Sequence, residues 1–159
     1  MKAVFFDRDG TLTNSSTPPA TADKLVLADG AIETLEKLKA AGYLLFLVSN
    51  QPDIAKGTSS AVNVLGVCNR FAELTQGLFT EYMYCFHRGE DNCRCRKPNP
   101  YFVNRAIDEY HINRKQSWFV GDTDKDMLCG IRARIRQIRV PETNLSCVAD
   151  IILAEDKND

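Results

Sequence analysis

Short apolar runs punctuate the chain, and they are separated by stretches whose apolar residues recur at helical spacing. Runs apolar at successive positions suit strands buried on both faces, and such strands occur in parallel sheets covered by helices on each side. Residues 3–6 read in this way as a first strand, and 43–48, 82–85, 117–120, 137–140 and 151–153 read as further strands. Residues 31–41 read as a helix, because Ile32, Leu35 and Leu38 share a face and Glu33 and Lys37 form an i,i+4 pair. Gly42 follows where a helix should stop. A second helix is expected over about 59–74, with Gly66 weakening it. A third is marked by Phe102, Val103, Ala106, Ile107 and Tyr110, with Pro100 suited to its first position. Residues 14–23, which include Pro18 and Pro19, read as a loop. The expectation is one α/β domain over 1–159, Rossmann-like and doubly wound around a mostly parallel sheet.

Charge narrows the function. Lys+Arg number 20 against 21 Asp+Glu, so the formal net charge is -1. A protein that grips nucleic acid or an anionic membrane usually carries a basic excess. The most apolar run, 43–48, is far short of the roughly 20 residues a spanning helix needs. Residues 1–6 run into Asp7, Arg8 and Asp9, which fits no export signal. A cytoplasmic, monomeric enzyme with no nucleic-acid or membrane partner is expected.

In doubly wound sheets ligands bind beyond the carboxyl ends of the strands. The first strand ends in Asp7-Arg8-Asp9-Gly10-Thr11, the second in Ser49-Asn50-Gln51, and the fourth in Gly121-Asp122 with Asp126 close behind. Arg96-Lys97 follows the third. Clustered carboxylates without histidine favour a hard, oxygen-liganded cation such as Mg²⁺, which commonly also takes phosphate oxygens. Ser49 and Asn50 offer hydrogen bonds to a phosphate, Lys97 offers a charge, and an Asp carboxylate can attack phosphorus.

The six cysteines carry a second signal. Cys85, His87, Cys93 and Cys95 crowd into eleven residues. Three thiolates and an imidazole suit tetrahedral Zn²⁺, and four protein ligands make the site structural rather than catalytic. The segment reads as a zinc-binding loop. Cys95 immediately precedes Arg96-Lys97, so the metal would fix where Lys97 emerges. Cys68, Cys129 and Cys147 read as small buried hydrophobes.

Taken in order, Phe6-Asp7-Arg8-Asp9-Gly10-Thr11, Val48-Ser49-Asn50-Gln51, Cys95-Arg96-Lys97-Pro98 and Val120-Gly121-Asp122 with Asp126 resemble the four motifs of haloacid dehalogenase superfamily phosphatases. The resemblance implies an aspartyl-phosphate mechanism. Asp7 would be the nucleophile, and Asp9 the general acid and then the base. Ser49, Asn50, Arg96 and Lys97 would bind phosphate or substrate, and Asp7, the Asp9 carbonyl and Asp122 would hold Mg²⁺. Asp126 would orient Lys97 or the metal's waters, and no large cap domain is expected.

The zinc loop narrows the resemblance to phosphatases of heptose bisphosphates and of histidinol phosphate. The segment from Ser49 to Gly57 favours the former, and the short spacer between His87 and Cys93 the latter. A sugar bisphosphate needs cations at its second phosphate, for which Arg96 and Lys56, with Arg88 or Arg94, are candidates. Glu90 and Asp91 are the counter-signal. A nucleic-acid end phosphatase and a zinc-stabilised binding module without activity are the other readings.

Overall fold

The computed structural model describes residues 1–157. Its elements are β1 (Lys2–Phe6), α1 (Ala31–Ala40), β2 (Tyr43–Asn50), α2 (Asp53–Lys56), α3 (Ala61–Leu74), β3 (Glu81–Cys85), α4 (Tyr101–Glu109), β4 (Trp118–Gly121), α5 (Asp124–Arg132), β5 (Arg136–Arg139) and α6 (Leu145–Asp156). The five strands form one sheet in the order β3-β2-β1-β4-β5, and all neighbours run parallel.

Period-two alternation divides the core. Val4, Phe6, Leu45, Leu47, Val120 and Ile138 point to one face, where α1, α3 and α6 cover them. Ala3, Phe5, Phe46, Val48, Met83 and Phe119 point to the other, beneath α4 and α5. Because both faces are apolar, sheet burial alone does not choose between registers one residue apart. The polar residues that end each strand do, since a slip would carry Asp7 into the core.

Two expectations need correction. Residues 151–153 are not a strand but part of α6, whose Leu145, Val148, Ala149 and Ile152 bury one helical stripe against the core. Asn144 caps that helix through a bond from the Ser146 N–H. Cys147 is exposed rather than buried, because it lies off that stripe, whereas Cys68 and Cys129 are buried as expected. The helix α5 was also not anticipated. Its N-cap Thr123 and Asp126 form a reciprocal capping box, so the acidic run after β4 is a helix start.

The chain leaves β1 towards β2 and β3, then returns to the other side of β1 for β4. Strand order therefore reverses between β1 and β4, the crevice where doubly wound folds place ligands. Among the described residues no further sheet or cap is inserted. The segment from 7 to 30 instead folds back on itself through Asn14 N–H to Val26 O (3.0 Å) and Ala28 N–H to Leu12 O (2.9 Å). Among the described residues no helix is long and apolar enough to cross a membrane.

Candidate active site

Asp7 continues the line of β1, its N–H donating to Val120 O at 3.0 Å. Gly10 then turns the chain at φ +79, and a Cβ there would lie 2.2 Å from Asp122 Oδ2. Only glycine meets both demands, the left-handed φ and the close approach. The turn brings the β1 and β4 loops together, and Thr11 Oγ1 donates to Asp122 Oδ1 at 3.2 Å. The carboxylate oxygens of Asp7, Asp122 and Asp126 lie within 4.8 Å of one another.

Lys97 enters this cluster from the loop after β3. Its Nζ donates to Asp7 Oδ1 and to Asp126 Oδ1, both at 2.7 Å, and the side chain is 3% exposed. Two of the three ammonium protons are thereby engaged, and the third is left for the pocket. Asn50 sets the Lys97 backbone: its Oδ1 accepts from Lys97 N–H (3.0 Å) and its Nδ2 donates to Lys97 O (3.1 Å). Asp126 serves two masters, with Oδ1 on Lys97 and Oδ2 accepting from the N–H groups of Asp122 and Thr123 at 3.1 Å each.

Burial pushes the Asp7 carboxyl up to about 8, and Asp126 and Asp122 add to this against the opposing pull of Lys97. Burial alone would lower the Lys97 ammonium, but Asp7 and Asp126 outweigh it and raise it. Three carboxylates thus face one ammonium, an excess of negative charge that a divalent cation would neutralise. The donor set is all oxygen, so the residues fit Mg²⁺.

Around the cluster lies a cavity of about 190 Å³, lined from four strand ends: Ser16 and Pro18 after β1, Asn50 and Pro52 at the end of β2, Arg96 and Lys97 after β3, and Thr123 and Lys125 after β4. Ser49, Arg8 and Gln51 are buried behind it. The expected rim is corrected here. Arg88 is engaged with Asp91, and neither Arg88, Arg94 nor Lys56 lines the cavity, whereas Arg96 and Lys125 do. Lys125 was missed because its place on the first turn of α5 is what brings it to the cavity.

A family model of haloacid dehalogenase-like hydrolases matches residues 19–140. The chain belongs to that family. This hydrolase is also similar to the D-glycero-beta-D-manno-heptose-1,7-bisphosphate 7-phosphatase of Pasteurella multocida, 36% identical over 165 residues that cover 94% of this chain and 86% of that one. The histidine biosynthesis bifunctional protein HisB of Legionella pneumophila is 37% identical over 131 residues, covering 79% of this chain but 37% of that protein. In fold it is similar to the D,D-heptose 1,7-bisphosphate phosphatase of B. bronchiseptica, solved with magnesium and phosphate, at a TM-score of 0.82, with 98% of this chain and 99% of that one covered at 20% identity.

The hydrolase carries its cysteine cluster on the loop after β3. Cys95 Sγ lies 3.1 Å from Cys85 Sγ and 3.3 Å from His87 Nδ1, and Cys93 Sγ lies 3.6 Å from Cys85 Sγ and 3.8 Å from Cys95 Sγ. A tetrahedron with metal–sulfur bonds of about 2.3 Å has edges of about 3.8 Å, so the four groups fit a single metal ion. None of these cysteines is in a disulfide. Burial pushes the Cys85 thiol up to about 12, so a thiolate there calls for a cation. The cluster is tied to the phosphate-side loop: Arg96 Nη1 donates to His87 O (3.4 Å) and Asn99 Nδ2 to Cys93 O (3.2 Å).

Proposed function

We propose that this hydrolase removes a phosphoryl group from a heptose 1,7-bisphosphate through a phosphoaspartate at Asp7. The observation that carries the reading is Lys97 Nζ held at 2.7 Å from both Asp7 and Asp126 at the mouth of the strand-order reversal. Asp7 attacks phosphorus while Asp9 gives a proton to the departing sugar oxygen, forming the phosphoaspartate and the free alcohol. Asp9 then takes a proton from a water that attacks the same phosphorus, releasing phosphate and restoring Asp7. Lys97 and Ser49 hold the phosphoryl oxygens through both steps. Asp7, the Asp9 carbonyl and Asp122 would hold Mg²⁺, which when bound neutralises charge on the phosphoryl group. Asp126 locks Lys97 in place.

Two cations at the rim support a bisphosphate. Arg96 and Lys125 stand beside Lys97 on the cavity wall, suited to a second phosphate and repulsive to the ammonium of histidinol phosphate. The acidic counter-signal is weak, because Asp91 accepts from Arg88 N–H at 2.8 Å and closes the turn of its own loop. Histidinol phosphate is the second reading, favoured by the HisB relative. Phosphate release across both substrates should give the bisphosphate a kcat/KM advantage above tenfold, with Arg96→Ala or Lys125→Ala closing most of it. A preference for histidinol phosphate, or indifference to both cations, would transfer the reading to the second substrate.

Cys85, His87, Cys93 and Cys95 would hold one structural Zn²⁺. Cys93→Ser should release the ion and lower turnover about tenfold, by loosening the loop that places Arg96 and Lys97. Elemental analysis finding no zinc in chelator-free protein would refute the assignment. Unchanged turnover in a zinc-free form would sever the link to Lys97.

A further inference from the structure

Arg8 lies between the two aspartates of the first loop and is 1% exposed. Its Nε donates to Asp9 Oδ1 at 3.0 Å and its Nη2 to Asp9 Oδ2 at 3.1 Å, a bidentate grip on one carboxylate. The guanidinium is itself enclosed, its carbon 5.8 Å from the centre of the Tyr84 ring and its Nη1 3.7 Å from Cys68 Sγ. Gln51, also 1% exposed, reaches the same carboxylate from β2's end. Its Nε2 donates to Asp9 Oδ2 at 2.6 Å and to Ser49 Oγ at 2.9 Å. With Asp9 ionised, a carbonyl oxygen would not sit 2.6 Å from its carboxylate oxygen, so the amide nitrogen of Gln51 faces Asp9.

This pattern has two consequences. Both amide protons of Gln51 are engaged, so Ser49 Oγ is an acceptor there and its own proton is not spent in that bond. Asp9 Oδ2 takes two bonds and Oδ1 one, so the open lone pair of that carboxylate is on Oδ1.

We propose that Gln51, backed by Arg8, is a positioning residue that fixes the Asp9 carboxyl and the Ser49 hydroxyl in one frame. One amide thus sets both the proton donor for the leaving oxygen and the donor to the phosphoryl group. The proposal rests on the acid–base role given to Asp9 above. It distinguishes the Gln51 amide from a core-filling polar group, because a group that only fills space has no reason to favour one leaving group over another.

The experiment compares Gln51→Met, Asp9→Asn and the double variant on two substrates, an alkyl sugar phosphate and p-nitrophenyl phosphate. Zinc content and circular dichroism report folding, and Arg8→Lys, which keeps the charge but not the bidentate fork, repeats the comparison if Gln51→Met does not fold. Gln51→Met should lower kcat on the alkyl phosphate by about 10²-fold, within the range of general acid catalysis, with KM changing no more than a few-fold. The burst of p-nitrophenol reports phosphoenzyme formation alone, and that phenolate leaves without a proton, so the burst rate should fall by less than about fivefold. In the double variant the loss should be well below the product of the two single losses, exceeding that of Asp9→Asn alone by no more than the few-fold share that Gln51 exerts through Ser49, because residues acting as a unit are non-additive. Equal losses on both substrates, additive losses, or wild-type turnover in a folded variant would overturn the proposal. Full alkyl phosphatase activity in Asp9→Asn would instead overturn the role of Asp9 itself.

Discussion

Asp7→Asn is expected to lower turnover by at least about 10⁴-fold, the scale at which removing a nucleophile leaves only binding and electrostatic assistance. An amide nitrogen does not attack phosphorus, and the substitution removes one of the carboxylates that would hold Mg²⁺. The fold should survive. Asparagine Oδ1 still accepts from Lys97, and the change removes one negative charge from a cluster of three carboxylates, two of them buried, facing a single ammonium. The melting temperature without added metal should therefore be unchanged or higher. Asp9→Asn should differ in kind, still forming some phosphoenzyme because the attacking oxygen is intact. Intact-mass measurement after quenching with acid checks both variants. Covalent phosphate in Asp7→Asn, or phosphate trapped on Asp9, would overturn the assignment of the nucleophile.

Lys97→Met is expected to damage both activity and stability. Its ammonium is the cation bonded to both Asp7 and Asp126 at 2.7 Å, and Asp126 is 1% exposed. Removing one partner of a buried ion pair typically costs about 3–5 kcal/mol, because the remaining charge is left buried without compensation. Turnover should fall by at least about 10³-fold, as expected when a charge aimed at the reacting group is lost. Magnesium should then raise the melting temperature of Lys97→Met more than that of the unsubstituted protein, since the variant has one positive charge fewer against the same carboxylates. Chemical denaturation with and without Mg²⁺ measures this. A Lys97→Met protein as stable as the parent would mean that the cluster is solvated and not held together as described.

Much of this was legible before folding was considered. The strands at 3–6, 43–48, 82–85, 117–120 and 137–140 stand within one or two residues of β1 to β5, the central ones because strands buried on both faces are recorded as near-continuous apolar runs, whereas β5 is an edge strand that buries only Ile138. Residues 151–153 misled for the same reason: three apolar residues in a row carry no period. Only the stripe from Leu145 to Ile152, four residues wide and packed on the core, reveals the helix. Asp7, Lys97 and Asp122 meet because each lies beyond the carboxyl end of a strand, with Ser49 at the end of β2, and a parallel sheet gathers its carboxyl ends on one edge. The cysteine cluster was legible from spacing, since its four ligands come from one short loop.

What Arg8, Gln51 and Lys125 do was not legible, and the sequence held no local pattern that could have told it. Arg8 adjoins Asp9 in the chain, but adjacency does not say that both carboxylate oxygens are gripped. Gln51 is 42 residues from Asp9, and the bond between them exists only because β1 and β2 are neighbours in the sheet. Lys125 shares the cavity wall with Arg96 only because α5 starts directly after its cap Thr123. Residue type and order along the chain determined which chemical groups reach the edge of the sheet. Which proton each group gives, and to whom, was decided by tertiary packing, because a hydrogen bond depends on distances of a few tenths of an ångström between loops far apart in sequence.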